Sequence, residues 1–117
     1  MLRKIECCIQ PSKLEPLTRA LVELGVDGMS VTEIKGFGRQ RGHVPQDAQA
    51  GDAAGEPRFL PKLKLEIVVG EEMVDETVQL IVKLARTGTV GAGKIFVVPV
   101  EDAIRVGTGE TGYPAIE

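Results

Sequence analysis

An α+β sandwich with its elements in the order β-α-β-β-α-β is the fold class this sequence predicts, on three observations. Short apolar runs, alternating or β-branched, mark four segments at residues 2–10, 29–37, 59–69 and 95–99. Apolar stripes at helical spacing follow the first and third of them: Leu14, Leu17, Leu21 and Leu24, then Val74, Val78, Ile81 and Ala85. Between the halves lie 21 residues, 38–58, in which neither period continues.

In the first strand, 2–10, Ile5, Cys7 and Ile9 alternate onto one face, and Pro11 breaks the run. Ser12 and Glu15 have the spacing of a capping box, Pro16 lies in the first turn, and Gly25 closes the helix as its C′ residue. Residues 29–37 are β-branched and alternating, a second strand. Residues 38–58 hold mainly Gly, Ala, Asp, Gln and Pro, with Val44 the only larger aliphatic side chain. Such a segment cannot bury enough to order itself, and at this length inside a compact domain it predicts a mobile interaction loop. In 59–69, Leu63, Leu65 and Ile67 alternate with Lys62, Lys64 and Glu66. The second helix covers 71–86, with Asp75 and Glu76 at its positive end and Lys83 and Arg86 at its negative end. A glycine-rich loop, a strand at 95–99, a turn at Glu101-Asp102-Ala103 and an edge strand at 104–106 complete the order. The tail, 107–117, is polar and rich in glycine, which predicts fraying.

This order is the ferredoxin-like split βαβ, an antiparallel sheet with both helices on one face, in a single domain of residues 1–117. In a monomer the other face would be polar. Instead Phe96 and Val98 lie behind Ile95 and Val97, and Cys8 lies behind Cys7, a pattern that predicts self-association.

Composition narrows the function. With net charge −3, 3% aromatic residues and no tryptophan, the chain carries neither the basic footprint nor the stacking platforms of a nucleic-acid binder. Hydrophobic residues make up 43% and charged residues 26%, with no apolar signal core at the start and no run of membrane-spanning length, so a cytoplasmic location is expected. Adjacent Cys7 and Cys8 point to opposite faces of a strand and fit neither a C-x-x-C site nor a disulfide. His43 is the only histidine, without ligands at metal spacing, and no nucleophile–base pair or paired carboxylates suggest an enzyme.

The glycine-rich loop, Thr-Gly-Thr-Val-Gly-Ala-Gly-Lys at 87–94, carries the strongest chemical signal. Gly88, Gly91 and Gly93 let backbone N–H groups approach an anion, and Lys94 adds a point charge suited to phosphate. The spacing approaches a Walker A loop, but Ile95 lacks the hydroxyl that would hold magnesium. The order is also helix–loop–strand, the reverse of a P-loop. A phosphate cradle without ATPase chemistry fits, and a glycine-rich helix C-cap and turn would use the same residues. Arg39, Arg41, Lys62 and Arg105 are further phosphate-compatible charges.

Three segments carry a resemblance to the PII signal-transduction proteins. Residues 31–43, Val-Thr-Glu-Ile-Lys-Gly-Phe-Gly-Arg-Gln-Arg-Gly-His, resemble the entry to that family's T-loop. Residues 59–69, Phe-Leu-Pro-Lys-Leu-Lys-Leu-Glu-Ile-Val-Val, resemble its exit strand, and 87–96 resemble its B-loop. The resemblance, spanning roughly 1–109, implies a non-enzymatic homotrimer binding ADP or ATP in clefts between subunits. Its T-loop, here 38–58, would contact a transporter, enzyme or regulator in nitrogen or carbon metabolism. It further implies that Gly91, Ala92, Gly93 and Lys94 of the B-loop, 87–94, meet phosphates, with Arg105 reaching in from a neighbouring subunit. Gly38 and Arg39 would close over the phosphates. Ser30, Glu66 and the backbone near Val68 would address adenine and ribose, and Gln40 and Lys62 magnesium and 2-oxoglutarate.

The chain departs from the family pattern in three places. The Arg-x-Arg of the edge strand is Arg105-Val106-Gly107, and Ala92 replaces the B-loop acid. The T-loop is longer and contains no Ser, Thr or Tyr to accept a nucleotidyl or phosphoryl group. These departures make a carbon- or bicarbonate-sensing PII-like protein, favouring ADP or AMP and lacking a 2-oxoglutarate response, the alternative within the class. A small ferredoxin-like trimeric enzyme or metal-binding protein is the alternative outside it.

Overall fold

The computed structural model describes residues 1–36, 59–86 and 93–117. The expectation for 38–58 and most of the glycine-rich loop lie outside these residues. Four strands, β1 (Leu2–Ile9), β2 (Ser30–Gly36), β3 (Leu60–Gly70) and β4 (Ile95–Val100), form one antiparallel sheet in the order β2-β3-β1-β4. Two helices, α1 (Leu14–Leu24) and α2 (Val74–Ala85), pack against each other. The observed order is that of the expected split βαβ sandwich.

Register determines what the sheet buries. Ile5 faces Ile67, Cys7 faces Leu65 and Ile9 faces Leu63 across β1 and β3. These residues join Leu17 and Leu21 of α1 and Ile81 and Ala85 of α2 in one core. Full burial of each such aliphatic side chain stabilises by about 1.5–3 kcal/mol. Thr77, a polar residue on the buried stripe of α2, is fully buried. Its hydroxyl donates to the Met73 carbonyl at 2.7 Å, so it brings no unsatisfied group into the core.

Three sequence expectations are corrected. Ser12 does not cap α1: it sits in a 3₁₀ turn, Pro11–Lys13, and no side chain caps either the turn or the helix. The Lys13 N–H donates to the Gln10 carbonyl at 2.9 Å and the Leu14 N–H to that of Pro11, so backbone bonds of the turn, not side chains, lead into the helix. A second 3₁₀ turn, Glu71–Met73, leads into α2 in the same way. Gly25 does close α1, at φ 107° with its N–H donating to Leu21 and Val22.

The edge strand at 104–106 is reduced to a single bridge between Ile104 and Thr111. Its cause is a tight reversal: the Gly109 N–H donates to the Arg105 carbonyl at 2.7 Å, with Gly109 at φ 77°. The tail, expected to fray, instead folds back through this turn into a 3₁₀ helix, Tyr113–Ala115.

The open face of the sheet is less apolar than its sequence suggests. Glu6 lies opposite Glu66, and Lys4 bridges them, its Nζ at 3.5 Å from Glu6 and 3.2 Å from Glu66. The hydrogen bond to Glu66 is the main cause of a raised Lys4 pKa. Exposed apolar surface gathers on β4, where Phe96, Val97 and Val98 are all exposed although they alternate between faces. Among the described residues no helix is long and apolar enough to cross a membrane.

Burial pushes the Cys7 thiol up to about 11 from its ordinary 9.0, with Cys8 and Glu6 adding to the rise. The unfolded chain therefore loses this proton first, so Cys7 favours folding fully below pH 9 and the contribution is lost as pH rises to about 11. Urea midpoints of the natural protein should fall through this window more steeply than those of Cys7→Ala. Parallel curves would show that Cys7 ionises alike in both states.

Candidate functional site

Of the residues that the sequence singles out, Ser30, Lys62, Glu66, Val68, Gly93, Lys94 and Arg105 are described; Gly38, Arg39, Gln40, Gly91 and Ala92 lie outside. Ser30 and Glu66 are register partners across β2 and β3, and Val68 follows two residues along the same face. Lys62 pairs with Ile34 further down β3. These four residues share the open face.

Gly93 and Lys94 sit just before β4, beside the Cys8 end of β1. Gly93 has φ 97°, and a Cβ there would stand 2.7 Å from the Cys8 carbonyl oxygen. Both facts require glycine, independently of any anion. Lys94 is exposed, at the rim of a cavity of about 160 Å³ whose walls include Cys8, Ile81, Arg86 and Ile95. The apolar walls leave the charge work to Lys94 and Arg86 at the edge.

Arg105 lies beyond the other end of β4, past Val100. The six residues of β4 and the four that follow it separate Arg105 from Lys94, and β4 alone spans roughly 20 Å at about 3.3 Å per residue. The two phosphate-compatible charges therefore do not meet within one chain. Ser30 and Glu66 lie on the β2 side of the sheet and Lys94 on the opposite edge, β4.

Sequence reasoning missed what holds several of these residues. Lys4 occupies Glu66, a pairing that becomes legible only once the register is known. Arg105 is engaged by its own tail. Its Nη2 donates to the main-chain oxygens of Pro114, at 3.4 Å, and Glu117, while its Nε stands 3.5 Å from Glu110 Oε1. The alternating glycines at 107, 109 and 112 were the available signal for that reversal. Among the described residues no group of three or more His, Cys, Asp or Glu side chains could hold a metal ion.

The family model described as "Nitrogen regulatory protein P-II" matches residues 2–110. A protein of that name from Cereibacter sphaeroides is 50% identical over 115 residues, covering 98% of this chain and all of the relative. Its namesake from Haemophilus influenzae is 46% identical with the same coverage. Among solved structures, Arabidopsis thaliana PII bound to citrate superposes with a TM-score of 0.78 at 35% identity. That match covers 99% of this chain and 90% of the plant protein.

The geometry separates the two roles of the glycine–lysine pair. Gly93→Ala must adopt a left-handed conformation against a backbone oxygen, which should cost about 1–3 kcal/mol. Lys94→Ala removes an exposed side chain and should stay within about 0.5 kcal/mol of the natural protein. Urea denaturation of both variants tests this; equal midpoints would show that the close approach to Cys8 imposes no constraint.

Proposed function

The chain belongs to the nitrogen regulatory protein P-II family, and from that premise we propose that it is a homotrimeric, adenine-nucleotide-responsive regulator. It acts on a partner through 38–58, in nitrogen or carbon metabolism, and is not an enzyme. The observation that carries this reading is the placement of Lys94 and Arg105 at opposite ends of β4. A second copy packed along β4 can bring its own Arg105 toward the Gly93–Lys94 end, and β4 is exposed on both faces. Burial of that surface supplies the association energy, and a bound nucleotide shared between copies adds to it.

In the assembled site, backbone N–H groups of Gly91, Ala92 and Gly93 meet the inner phosphates, and Lys94 and the neighbour's Arg105 supply positive charge. Gly38 and Arg39 close over them, while Ser30, Glu66 and the Val68 backbone face adenine and ribose. Gln40 and Lys62 are assigned to magnesium and 2-oxoglutarate. Of these two residues, Gln40 lies outside the described residues.

Only one arginine remains where the family pattern carries two, because the second position is Gly107. A charge-assisted hydrogen bond contributes about 1.5–3 kcal/mol, so its absence costs roughly tenfold or more in affinity. The terminal phosphate bears that loss, since inner phosphates still have backbone donors. ADP is then bound at least as tightly as ATP, with AMP retained.

Light scattering should report a trimer, and calorimetry should give ADP affinity at least equal to that for ATP. Lys94→Ala should weaken ADP by roughly tenfold or more. A monomer that still binds ADP would contradict the shared site, and a large preference for ATP would contradict the loss at position 107. The same titrations with 2-oxoglutarate and bicarbonate choose between the two effectors.

Residues 38–58 offer no hydroxyl, so their regulation must work through ligand-dependent population shift rather than nucleotidyl transfer. Incubation with a PII uridylyltransferase should leave the intact mass unchanged. A nucleotidyl adduct mapped to this segment would refute the claim.

A further inference from the structure

We propose that residues 107–117 form a latch that competes with nucleotide phosphate for Arg105. This rests on the reading of Arg105 as a phosphate ligand. The guanidinium already meets three oxygens of its own chain: main-chain oxygens of Pro114 and Glu117, and Glu110 Oε1. That is the set of partners a phosphate would offer a planar guanidinium fork. Thr108 Oγ1 donates to the same Glu110 oxygen at 3.0 Å, fixing the carboxylate beside the arginine.

The tail is also anchored away from Arg105. A Cβ at Gly70 would fall 2.1 Å from the Tyr113 hydroxyl oxygen and 2.5 Å from the Tyr113 ring carbon bearing it, so the tyrosine occupies the space that a side chain at 70 would fill. The Gly112 N–H donates to the Ala103 carbonyl at 3.0 Å and to Asp102 Oδ1 at 3.1 Å, tying the tail to the turn after β4. Docking of Tyr113 therefore brings Glu110, Pro114 and Glu117 to the arginine.

The latch can open. Two of its three contacts are long: Pro114, at 3.4 Å, and Glu110, at 3.5 Å, exceed the about 2.7–2.9 Å of a strong charge-assisted bond, which leaves the Glu117 main-chain oxygen as the one close partner. The buried Nε has no hydrogen-bond partner, only the nearby carboxylate charge. A phosphate would satisfy it while repelling Glu110, so ligand binding and tail docking exclude each other. Apparent affinity is reduced by the fraction of molecules in which the tail is docked.

Tyr113 is the only tyrosine and the chain has no tryptophan, so its emission reports the tail directly. Gly70 has φ −69° and ψ 154°, which alanine adopts freely, so Gly70→Ala should displace Tyr113 without straining the backbone. This variant should lower Tyr113 emission anisotropy without ligand and bind ADP severalfold tighter by calorimetry. The gain should vanish in an Arg105→Ala background. Saturating pyrophosphate, transparent at the exciting wavelength, should lower the anisotropy of the natural protein as well. Glu110→Gln, which keeps the tail but removes its charge, should also tighten ADP only when Arg105 is present, and it carries the test if Gly70→Ala misfolds. Unchanged anisotropy in Gly70→Ala, or an ADP gain that is absent or persists without Arg105, overturns the latch. No calorimetric heat with ADP in the natural protein overturns the nucleotide reading itself and the competition with it.

Discussion

β1 is hydrogen-bonded on both sides, to β3 and to β4, and its register is the constraint on which the other placements depend. With Ile5 opposite Ile67 and Cys7 opposite Leu65, the odd-numbered side chains meet the helices. A shift of one residue would send Lys4 and Glu6 into that core and expose the isoleucines, at a cost of several buried aliphatic side chains. The same register places Gly93 against the Cys8 carbonyl. Core packing thus positions the start of β4, and with it Lys94.

The open face follows from the same pairing. Two glutamates face each other at Glu6 and Glu66, an arrangement that like charges disfavour. Lys4 stands between them and turns the pair into a three-membered charge cluster. Glu66 is also the register partner of Ser30. The region proposed for adenine and ribose is therefore held by an ion network on one side and the β2 edge on the other.

Position along β4 is the physical basis of the proposed assembly. A single chain presents Gly93 and Lys94 at one end of this strand and Arg105 beyond the other, with exposed apolar side chains between. In the proposed site, one chain holds each half but does not bring both halves together. Association that buries Phe96 and Val98 would also bring the unlike halves of the proposed site into reach, so in that proposal assembly and ligand response share one surface. The folded tail adds a second partner for the arginine, drawn from the same chain.

The sequence alone determined the order of the four strands and two helices, the two helical stripes and the C′ role of Gly25. Each is written in local spacing: period two for Ile5, Cys7 and Ile9, helical period for Leu17 and Leu21, and a left-handed demand at Gly25. Its motifs also sufficed to recognise the family. Other features needed contacts between residues far apart in the chain. The ion pair of Lys4 with Glu66 joins residues 62 positions apart, and Tyr113 over Gly70 depends on where β3 ends. The separation of Lys94 from Arg105 by a strand was already legible in the sequence, whereas the engagement of Arg105 by the tail was not. Ser12 failed as a cap because a 3₁₀ turn satisfied the backbone first, a competition between local hydrogen bonds that spacing cannot rank. The tail at 107–117 looked too polar to order, yet hydrogen bonds to the turn after β4 and a slot left by one missing side chain hold it. Composition records how much a segment can bury, whereas only the tertiary structure decides whether a complementary surface awaits it.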